Sequence, residues 1–554
     1  MKSELMESKA MKFFLLAIIL FLSYIVLFHK LGSLTICVWD EARNSINAIE
    51  MNEHKNILVT TYQGEIDTWN TKPPLLIIFQ SAFIHVFGLS ELSVRLPSAI
   101  AATIAVIFIF LFVSRYTKSY FIGFFSSFIL LTTPGLVGFH GVRTGDYEAT
   151  LMLFSTLYSL FYLAYIETKR VKYLYFFFIA FTMAFMTKSS ASLLFLPALF
   201  LYTIYRKKLL EILKSKHFYF SLAIPIVVIG AYYGYREVLY PGYFQIVYAN
   251  EFGGRYLDTI EGHTGDFLFY WNLFVSTKLK YWLFIAISGL FFMFFEKNNR
   301  LKRLFVFCGL LSITHLLIIS FSETKIQWYG LPEFPFWAIM AAVVLYQITY
   351  FIVGLFKKEV IRKTIITISA AVILFIPASD TIERIKQYEI EFIPAYSNEF
   401  LRSEISKFIN KDTDKVFVLT TWVPQNILFY LHVLQKDGYD IQMGNLNQIA
   451  QYDIVFLDEY LAPNSLVESV NTMFDTKTIC EYNKFVVLSK ILGEKTHQEA
   501  IDYASQQLLL SEDKRQEIEE IAKNSAVCFT EQVQKKADSV VQNAMTMLGL
   551  ENKK

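Results

Sequence analysis

The sequence predicts a polytopic α-helical membrane protein of about 11 transmembrane helices, followed by a small extracytoplasmic α/β domain. Of 554 residues, 54% are hydrophobic and only 18% are charged, and the mean hydropathy is +0.39. Apolar runs of about 20 residues, the length that crosses a bilayer, recur as far as residue 380. The net charge of only +2 gives no reason to expect a nucleic-acid partner.

The apolar runs define the predicted membrane helices. We place them at about 11–30, 93–113, 119–138, 149–166, 171–187, 189–206, 217–234, 279–296, 303–321, 331–355 and 364–379. The first run follows Lys2, Lys9 and Lys12, and no small-residue cleavage site comes after it. We therefore interpret this run as an uncleaved anchor rather than a removed signal peptide.

Basic loops predict the orientation of these helices. Every second loop is rich in Lys and Arg, at 115–118, 169–172, 206–216, 297–303 and 357–363. Because such loops stay in the cytoplasm, the N-terminus is predicted to be cytoplasmic. The long loop 31–92 and everything after residue 380 then lie outside the cytoplasm.

The first outer loop, 31–92, is long and contains two features of its own. Ala42, Ile46, Ile49 and Glu50 have the spacing of a short amphipathic helix at the interface. The run "LLIIFQSAFIHVFGL" is apolar but only about 15 residues long, which is too short to span. We interpret it as re-entrant or interfacial, because a full span here would place the basic loops outside.

The sequence after the last apolar run differs in character from the membrane part, which predicts separate domains. The membrane domain covers 1–380, a soluble α/β domain covers 381–495, and a helical tail covers 496–554. Short β-branched or aromatic runs at Val416–Leu419, Ile454–Leu457 and Phe485–Leu488 predict the strands. No nucleotide-binding, zinc-protease or serine-hydrolase motif occurs in the sequence.

Charged side chains of the outer loops are the candidates for chemistry. They lie in the first loop, in "GVRTGDYEA" and in "SETKIQWYGLPEFP". Charges near membrane depth are costly and usually face a cavity or a partner. Cations beside carboxylates at a cleft open to the bilayer suit a lipid phosphate, with a carboxylate to take a proton.

The sequence resembles the polyprenyl-phosphate-sugar transferases of the C-type membrane glycosyltransferase fold. The resemblance rests on "VWDEARN", "TWNTKPPL", "FGLSELSVRLPSAI", "GVRTGDYEATLMLF" and "SETKIQWYGLPEFP", in that order, over about residues 10–350. This superfamily includes the protein O-mannosyltransferases and the lipid A aminoarabinose transferases, and the second group also has a soluble α/β domain after its last helix. One departure is Thr71, where the lipid A enzymes often have an acidic residue.

The resemblance implies roles for seven residues. Asp40 matches the catalytic aspartate and Glu41 its neighbour, and Asp146 matches a second outer-loop aspartate. The groups implied to face the donor phosphate are Lys72, Arg143, Lys325 and Tyr329. His140, His263 and His315 lack ligand spacing, so we expect neither a metal nor another cofactor.

Simpler interpretations exist for several of these positions. Asp146 could pair with Arg143, and Lys325 could anchor its helix at the interface. Asp40 and Glu41 also suit the N-terminal turn of a helix, where carboxylates are favoured. Lys72 could snorkel to lipid headgroups while "KPP" begins a helix. Neither of the last two interpretations excludes the functional one.

The predicted function is an inverting glycosyltransferase of a bacterial inner membrane with its C-terminal domain in the periplasm. Its donor would be a polyprenyl-phosphate sugar such as an undecaprenyl phosphate derivative. Its acceptor would be a lipid, a glycan or a protein, which includes lipid A modification and protein glycosylation. The partners are therefore the donor, the acceptor and membrane lipids. The alternative is a transporter or flippase of a lipid-linked glycan.

Overall fold

The computed structural model describes two compact units of the chain. Residues 9–503 are described except 254–255, 257–258, 260–261, 357, 388–394, 421–424, 459–464, 484–485, 497–498 and 501–502. One unit comprises Met1–Leu34 with Asn47–Glu389, and the other comprises Thr35–Ile46 with Ile390–Lys554. The predicted tail, 496–554, lies almost wholly outside the described residues. The predicted domains 1–380 and 381–495 stay proposals, and they did not anticipate that residues 35–46 belong to the second unit.

The first unit is helical apart from one small hairpin, Thr61–Tyr62 with Glu65–Ile66. Its α-helices before residue 200 are Lys9–Ser23, Leu75–Phe87, Glu91–Thr117, Tyr120–Leu131, Tyr147–Thr168, Val171–Lys188 and Leu196–Tyr205. Those that follow are Leu209–Leu213, Lys216–Leu239, Tyr243–Val247, Phe269–Leu273, Leu283–Phe295, Asn299–Phe321, Phe334–Leu355 and Glu359–Gln387. Single turns of π-helix extend several of them, at Tyr24–Phe28, Tyr248–Gly253 and Phe274–Lys278. The helix Asp40–His54 begins in the second unit and continues into the first.

Seven helices among the described residues are long and apolar enough to cross a membrane, so the chain is a multi-pass membrane protein. They are Lys9–Phe28, Glu91–Thr117, Tyr147–Thr168, Val171–Leu193, Lys216–Leu239, Asn299–Phe321 and Leu331–Ile352. An eighth span forms if Phe269–Lys278 and Leu283–Phe295, which meet at 106°, count as one broken helix. The prediction of a polytopic helical protein is confirmed, whereas the count of eleven is not.

The difference in count has a physical reason in helix length. The only α-helices described within the predicted runs 119–138 and 189–206 are Tyr120–Leu131 and Leu196–Tyr205. At 1.5 Å per residue these helices reach only about 15–18 Å, roughly half of the hydrocarbon thickness. Pro134 ends the first of them early, because the residue before a proline avoids helical angles. The helix Leu75–Phe87 is likewise too short to span, as its sequence predicted.

Close helix contacts form the core of the first unit. Its apolar side chains make one continuous cluster that extends from Ile19 to Ile385. Gly289 shows how near the helices come, because a Cβ there would lie 2.2 Å from the ring of Phe305. Small residues of this kind let helix backbones approach each other in membrane proteins. The bundle therefore holds the loops between helices in fixed positions.

The second unit contains a five-stranded mixed sheet. In spatial order its strands are Asp440–Met443, Lys415–Thr420, Ile454–Asp458, Val486–Glu494 and Phe474–Tyr482. The first three are parallel and the last two pair antiparallel. The α-helices of this unit are Ala395–Glu399, Gln425–Lys436 and Ser465–Met473. The three predicted strand segments lie in three of these five strands, although Phe485 is not described.

Candidate functional site

A buried polar network fixes the segment that ends at Lys72. Asp67 is buried, and its Oδ1 accepts hydrogen bonds from the backbone N–H groups of Trp69 and Asn70, both at 3.0 Å. Its Oδ2 accepts a third bond from Asn47 Nδ2 at 3.0 Å. A carboxylate that folds its own following backbone in this way makes a rigid turn. The position of Lys72 is therefore set by the turn before it.

Lys72 lies between two aromatic rings at the end of this turn. Its Nζ is 5.8 Å from the ring centroid of Trp69 and 5.4 Å from that of Tyr147. The Tyr147 hydroxyl accepts a bond from Asn70 Nδ2 at 3.0 Å, which ties the ring to the same segment. The helix Leu75–Phe87 begins three residues after Lys72, and Pro73 and Pro74 lie between them. Among the described residues, the Lys72 ammonium has no hydrogen bond or ion pair to the chain.

Asp146 and His140 form a buried pair beside this turn. Asp146 precedes the helix Tyr147–Thr168, but its carboxylate does not cap that helix. Its Oδ2 lies 3.0 Å from His140 Nδ1, and both side chains are buried. Trp328 stacks on the imidazole with ring centroids 3.6 Å apart. The pair can hold or move one proton, and it offers a nitrogen and an oxygen to a cation.

His140 is also held in a rare backbone conformation. Its φ is +53°, in the left-handed region that costs most side chains energy. Such strain is maintained where the surroundings fix a side chain for a purpose. The sequence analysis set His140 aside because it lacked ligand spacing. The missed signal was the glycine-rich surround "GFHG", which permits such a turn.

Two of the predicted phosphate-facing cations hold helix ends in the structure. Arg143 donates to the carbonyls of Val26 and His29, at 2.9 and 2.8 Å. Lys325 donates to the carbonyls of Ser320, at 2.8 Å, and of Ser322. These carbonyls lie at the C-terminal ends of spanning helices, where a cation is favoured by unpaired acceptors and by the helix dipole. Burial lowers the pKa of Lys325, and the negative charges of nearby Glu323 and Asp266 partly offset this decrease.

Tyr329 is placed by an ion pair that the sequence did not predict. Lys188 pairs with Glu148, and its Nζ lies 5.1 Å from the ring centroid of Tyr329. Glu148 and Lys188 are both buried, so each charge needs the other. This pair connects the start of the helix Tyr147–Thr168 to the segment that carries Tyr329.

Glu251 is a second buried carboxylate that sequence reasoning missed. Its Oε1 accepts a bond from the Thr71 hydroxyl and its Oε2 one from the Ser189 hydroxyl, both at 3.0 Å. Thr71 comes directly before Lys72, and Ser189 comes directly after Lys188. The carboxylate is thus tied to position 71, where the resembling enzymes often have an acid. No local pattern reveals this, because 180 residues separate Glu251 from Thr71.

Asp40 and Glu41 belong to the second unit, at the start of the helix Asp40–His54. Asp40 is half-buried, whereas Glu41 is fully buried. The Glu41 Oε2 accepts a bond from the backbone N–H of Cys37 at 2.7 Å, which closes the turn before the helix. Glu41 therefore has a clear structural contact of its own.

Comparisons with known proteins agree with this fold. Residues 71–233 match the family model described as dolichyl-phosphate-mannose-protein mannosyltransferase. The structure is similar to that of ArnT from Cupriavidus metallidurans bound to undecaprenyl phosphate. The TM-score is 0.63 at 14% identity, over 87% of this chain and 98% of that one. The apo form of the same ArnT gives a TM-score of 0.60 at 13% identity, over the same shares.

An uncharacterized protein of Aquifex aeolicus is 26% identical over 334 residues, which are 60% of this chain. The match spans 64% of the length of that curated relative. The resemblance to C-type membrane glycosyltransferases is thereby confirmed at the level of the fold. The roles of the seven predicted site residues, and the expectation that no metal takes part, stay predictions.

Proposed function

We propose that the chain is a membrane glycosyltransferase that takes its sugar from a polyprenyl-phosphate donor. The observation that carries the proposal is Lys72, an ammonium held between two rings without an anionic partner among the described residues. It lies within the stretch that matches the mannosyltransferase family. The likeness to a structure that binds undecaprenyl phosphate supports the same class of donor.

The proposed reaction breaks one bond and forms one. The acceptor oxygen attacks the anomeric carbon while the bond from that carbon to the phosphate oxygen breaks, with inversion. The phosphate leaves with the bonding electrons as polyprenyl phosphate, and Lys72 stabilises the growing negative charge. The proton of an acceptor hydroxyl goes to a carboxylate, for which the resemblance suggests Asp40.

Other residues have supporting roles in this proposal. The Asp146–His140 pair is proposed to hold or move a proton next to Tyr147, whose hydroxyl is bonded to the segment of Lys72. Tyr329 is proposed to face the phosphate beside Lys188. Arg143 and Lys325 are proposed to fix helix ends as well as to face the phosphate, because both donate hydrogen bonds to carbonyl oxygens there.

The proposed location is a bacterial inner membrane with a cytoplasmic N-terminus. The chemistry would then occur on the periplasmic face, where lipids, glycans and proteins are all available as acceptors. The basic loops support this orientation. Eleven spans would require that Tyr120–Leu131, Leu196–Tyr205, the broken pair Phe269–Lys278 with Leu283–Phe295, and Glu359–Gln387 cross the membrane together with the seven long helices.

A transporter or flippase of a lipid-linked glycan is the second candidate. The bend of 106° between Phe269–Lys278 and Leu283–Phe295 favours it, because transporters build their binding sites from broken helices. In a transporter, the donor would cross the bilayer intact. The two candidates therefore differ in whether the bond between sugar and phosphate is cleaved.

The test uses the purified chain in lipid nanodiscs with a polyprenyl-phosphate sugar. We expect free polyprenyl phosphate to appear in the presence of a mixed pool of acceptors, and to be lost in Lys72→Ala. A parallel assay in sealed vesicles measures movement of the intact donor across the bilayer. Translocation without cleavage would replace the transferase proposal with the transporter. The matched control is Lys55→Ala, an exposed lysine that begins the connection after the helix Asp40–His54.

A further inference from the structure

Lys278 is a half-buried cation at the bend of the broken helix. It is the last residue of the π-turn Phe274–Lys278, and the chain then turns by 106° into Leu283–Phe295. Two glycines make room for its side chain. A Cβ on Gly135 would lie 2.9 Å from the Cβ of Lys278, and a Cβ on Gly138 would lie 3.6 Å from its Nζ. The ammonium is thus held against a glycine-lined part of the chain.

Two further cations lie near Lys278. Lys280 Nζ is 3.8 Å from Asp380 Oδ1, and Arg384 Nε is 3.1 Å from Asp380 Oδ2. The charge of Arg384 also acts on Lys278. We call Lys278, Lys280 and Arg384 the cation cluster. Lys280 and Arg384 share the carboxylate of Asp380, whereas Lys278 feels the charge of Arg384, so these four groups carry an excess of two positive charges.

The chain itself offers little to neutralise this excess. Among the described residues, Lys278 Nζ makes no hydrogen bond or ion pair. A helix end can favour one cation, but its dipole amounts to only about half a charge. A charge that is partly withdrawn from water, as Lys278 is, is costly without a partner. The excess therefore points to an anionic ligand.

The surroundings show what kind of ligand fits. Ile376, Asp380 and Arg384 are spaced by four residues, so they share one face of the helix Glu359–Gln387. Ile376 is exposed on that face, and Phe284 is exposed one turn after Lys280. Phe284 places apolar surface one turn from Lys280, and Ile376 continues an apolar surface two turns from Arg384, which matches a molecule with an anionic head and an apolar tail.

We propose that the cation cluster binds the phosphate headgroup of an anionic glycerophospholipid from the bilayer. Its acyl chains pack on the exposed apolar side chains of the two helices. The headgroup connects the bend of the broken helix to the end of the helix Glu359–Gln387, and it stabilises both. The proposal does not rest on the donor-binding role of Lys72.

Native mass spectrometry of the full-length protein with dioleoyl phosphatidic acid tests binding. We expect the wild type to retain this lipid in preference to dioleoyl phosphatidylcholine. Lys278→Met and Arg384→Met should each weaken retention about fivefold, the effect of one cation on an anionic lipid. Lys386→Met is the matched control, because it removes an exposed lysine from the same helix end. Equal retention of both lipids, or unchanged retention in both variants, would overturn the proposal.

Stability and competition give independent readouts. Phosphatidic acid should raise the melting temperature of the wild type and not that of the double variant Lys278→Met, Arg384→Met, because a ligand stabilises the state that it binds. Lys278→Arg keeps the charge and should keep the shift. Displacement by polyprenyl phosphate would assign the cluster to the donor, and displacement by millimolar inorganic phosphate would show that no lipid tail is needed. Either displacement would overturn the lipid assignment.

Discussion

Two segments of the first unit each contain a lysine that the sequence assigned to the donor phosphate. In Asp67–Lys72, the lysine head lies between two rings and has no acceptor among the described residues. In Ser322–Tyr329, the head of Lys325 lies against carbonyls at the end of the helix Asn299–Phe321. The first cation is available to a ligand, whereas the second is already engaged.

The difference teaches what a charged motif can and cannot reveal. A lysine has three N–H donors, and a helix end leaves up to four carbonyls without partners. Where a helix ends beside a lysine, the free carbonyls of that helix accept hydrogen bonds from the ammonium. Where a helix begins after the lysine, as Leu75–Phe87 does, the free groups are N–H donors. These cannot accept a bond from the ammonium, so its own donors stay available. The direction of the neighbouring helix therefore decides which cation is available.

The largest effect on activity is expected at Asp40 and Glu41. Like the two lysines, these neighbouring carboxylates are expected to differ, one acting on the substrate and the other bonded to the chain. Asp40→Asn should lower transfer to a hydroxyl acceptor by about 10²–10⁴-fold, because it removes the proposed base. Glu41→Gln is the matched control, because the amide oxygen can still accept the Cys37 N–H bond. Initial rates of polyprenyl phosphate release measure both variants.

Two results would contradict the proposed difference between Asp40 and Glu41. Equal losses in Asp40→Asn and Glu41→Gln would show that the two carboxylates act as one structural unit. Full activity in Asp40→Asn would show that Asp40 is not a required base. It would favour a phosphate acceptor, whose nucleophile is already ionised.

The next effect concerns the available lysine. Lys72→Met should lower the rate of donor cleavage by about 10²–10³-fold, the usual loss when one group that stabilises transition-state charge is removed. Its melting temperature should remain close to that of the wild type, because Lys72 has no hydrogen bond to the chain among the described residues. Lys72→Arg should recover part of the rate. A large loss of stability in Lys72→Met would mean that this lysine is structural after all.

A smaller effect is expected at Glu251, which acts through its neighbours. Glu251→Gln keeps the size of the side chain but removes its charge, which weakens the bonds from Thr71 and Ser189. Bonds to a charged group are about 1 kcal/mol stronger than neutral ones, so the rate should fall about fivefold.

Glu237→Gln is the control for Glu251. Glu237 also accepts two bonds, but from the backbone N–H groups of Gly242 and Phe244. Its replacement should leave the donor KM unchanged, whereas Glu251→Gln should raise it. Equal donor KM values in the two variants would argue that Glu251 does not position Lys72.

The sequence predicted the helical membrane fold because twenty-residue apolar runs have few other interpretations. Its count of eleven exceeds the seven long helices because Pro134 and the 3₁₀ turn Ser189–Leu193 shorten helices inside continuous apolar runs, and that count stays a prediction. Among the polar groups, the motifs singled out Lys72 and Asp146, whose roles stay predictions. The sequence analysis missed His140, Glu251 and Glu148 as partners, because their contacts depend on how distant segments pack. The sequence could not show that Arg143 and Lys325 donate to carbonyls at helix ends, because those contacts depend on where another helix ends. Their predicted role toward the donor phosphate stays a prediction.

The smallest effect on activity, and a clear effect on stability, is expected at Lys325. Lys325→Met removes the donors to the carbonyls of Ser320 and Ser322 in a buried position. Leaving such acceptors unpaired costs about 1–3 kcal/mol, which should appear as a lower melting temperature in detergent. The donor KM and the cleavage rate, measured below the melting temperature, should change less than threefold. Glu323→Gln, which alters a neighbouring exposed charge, should leave both properties unchanged. A hundredfold loss of activity at normal stability would instead mean that Lys325 leaves its carbonyls to bind the donor, and the contrast between the two segments would then hold only before the donor binds.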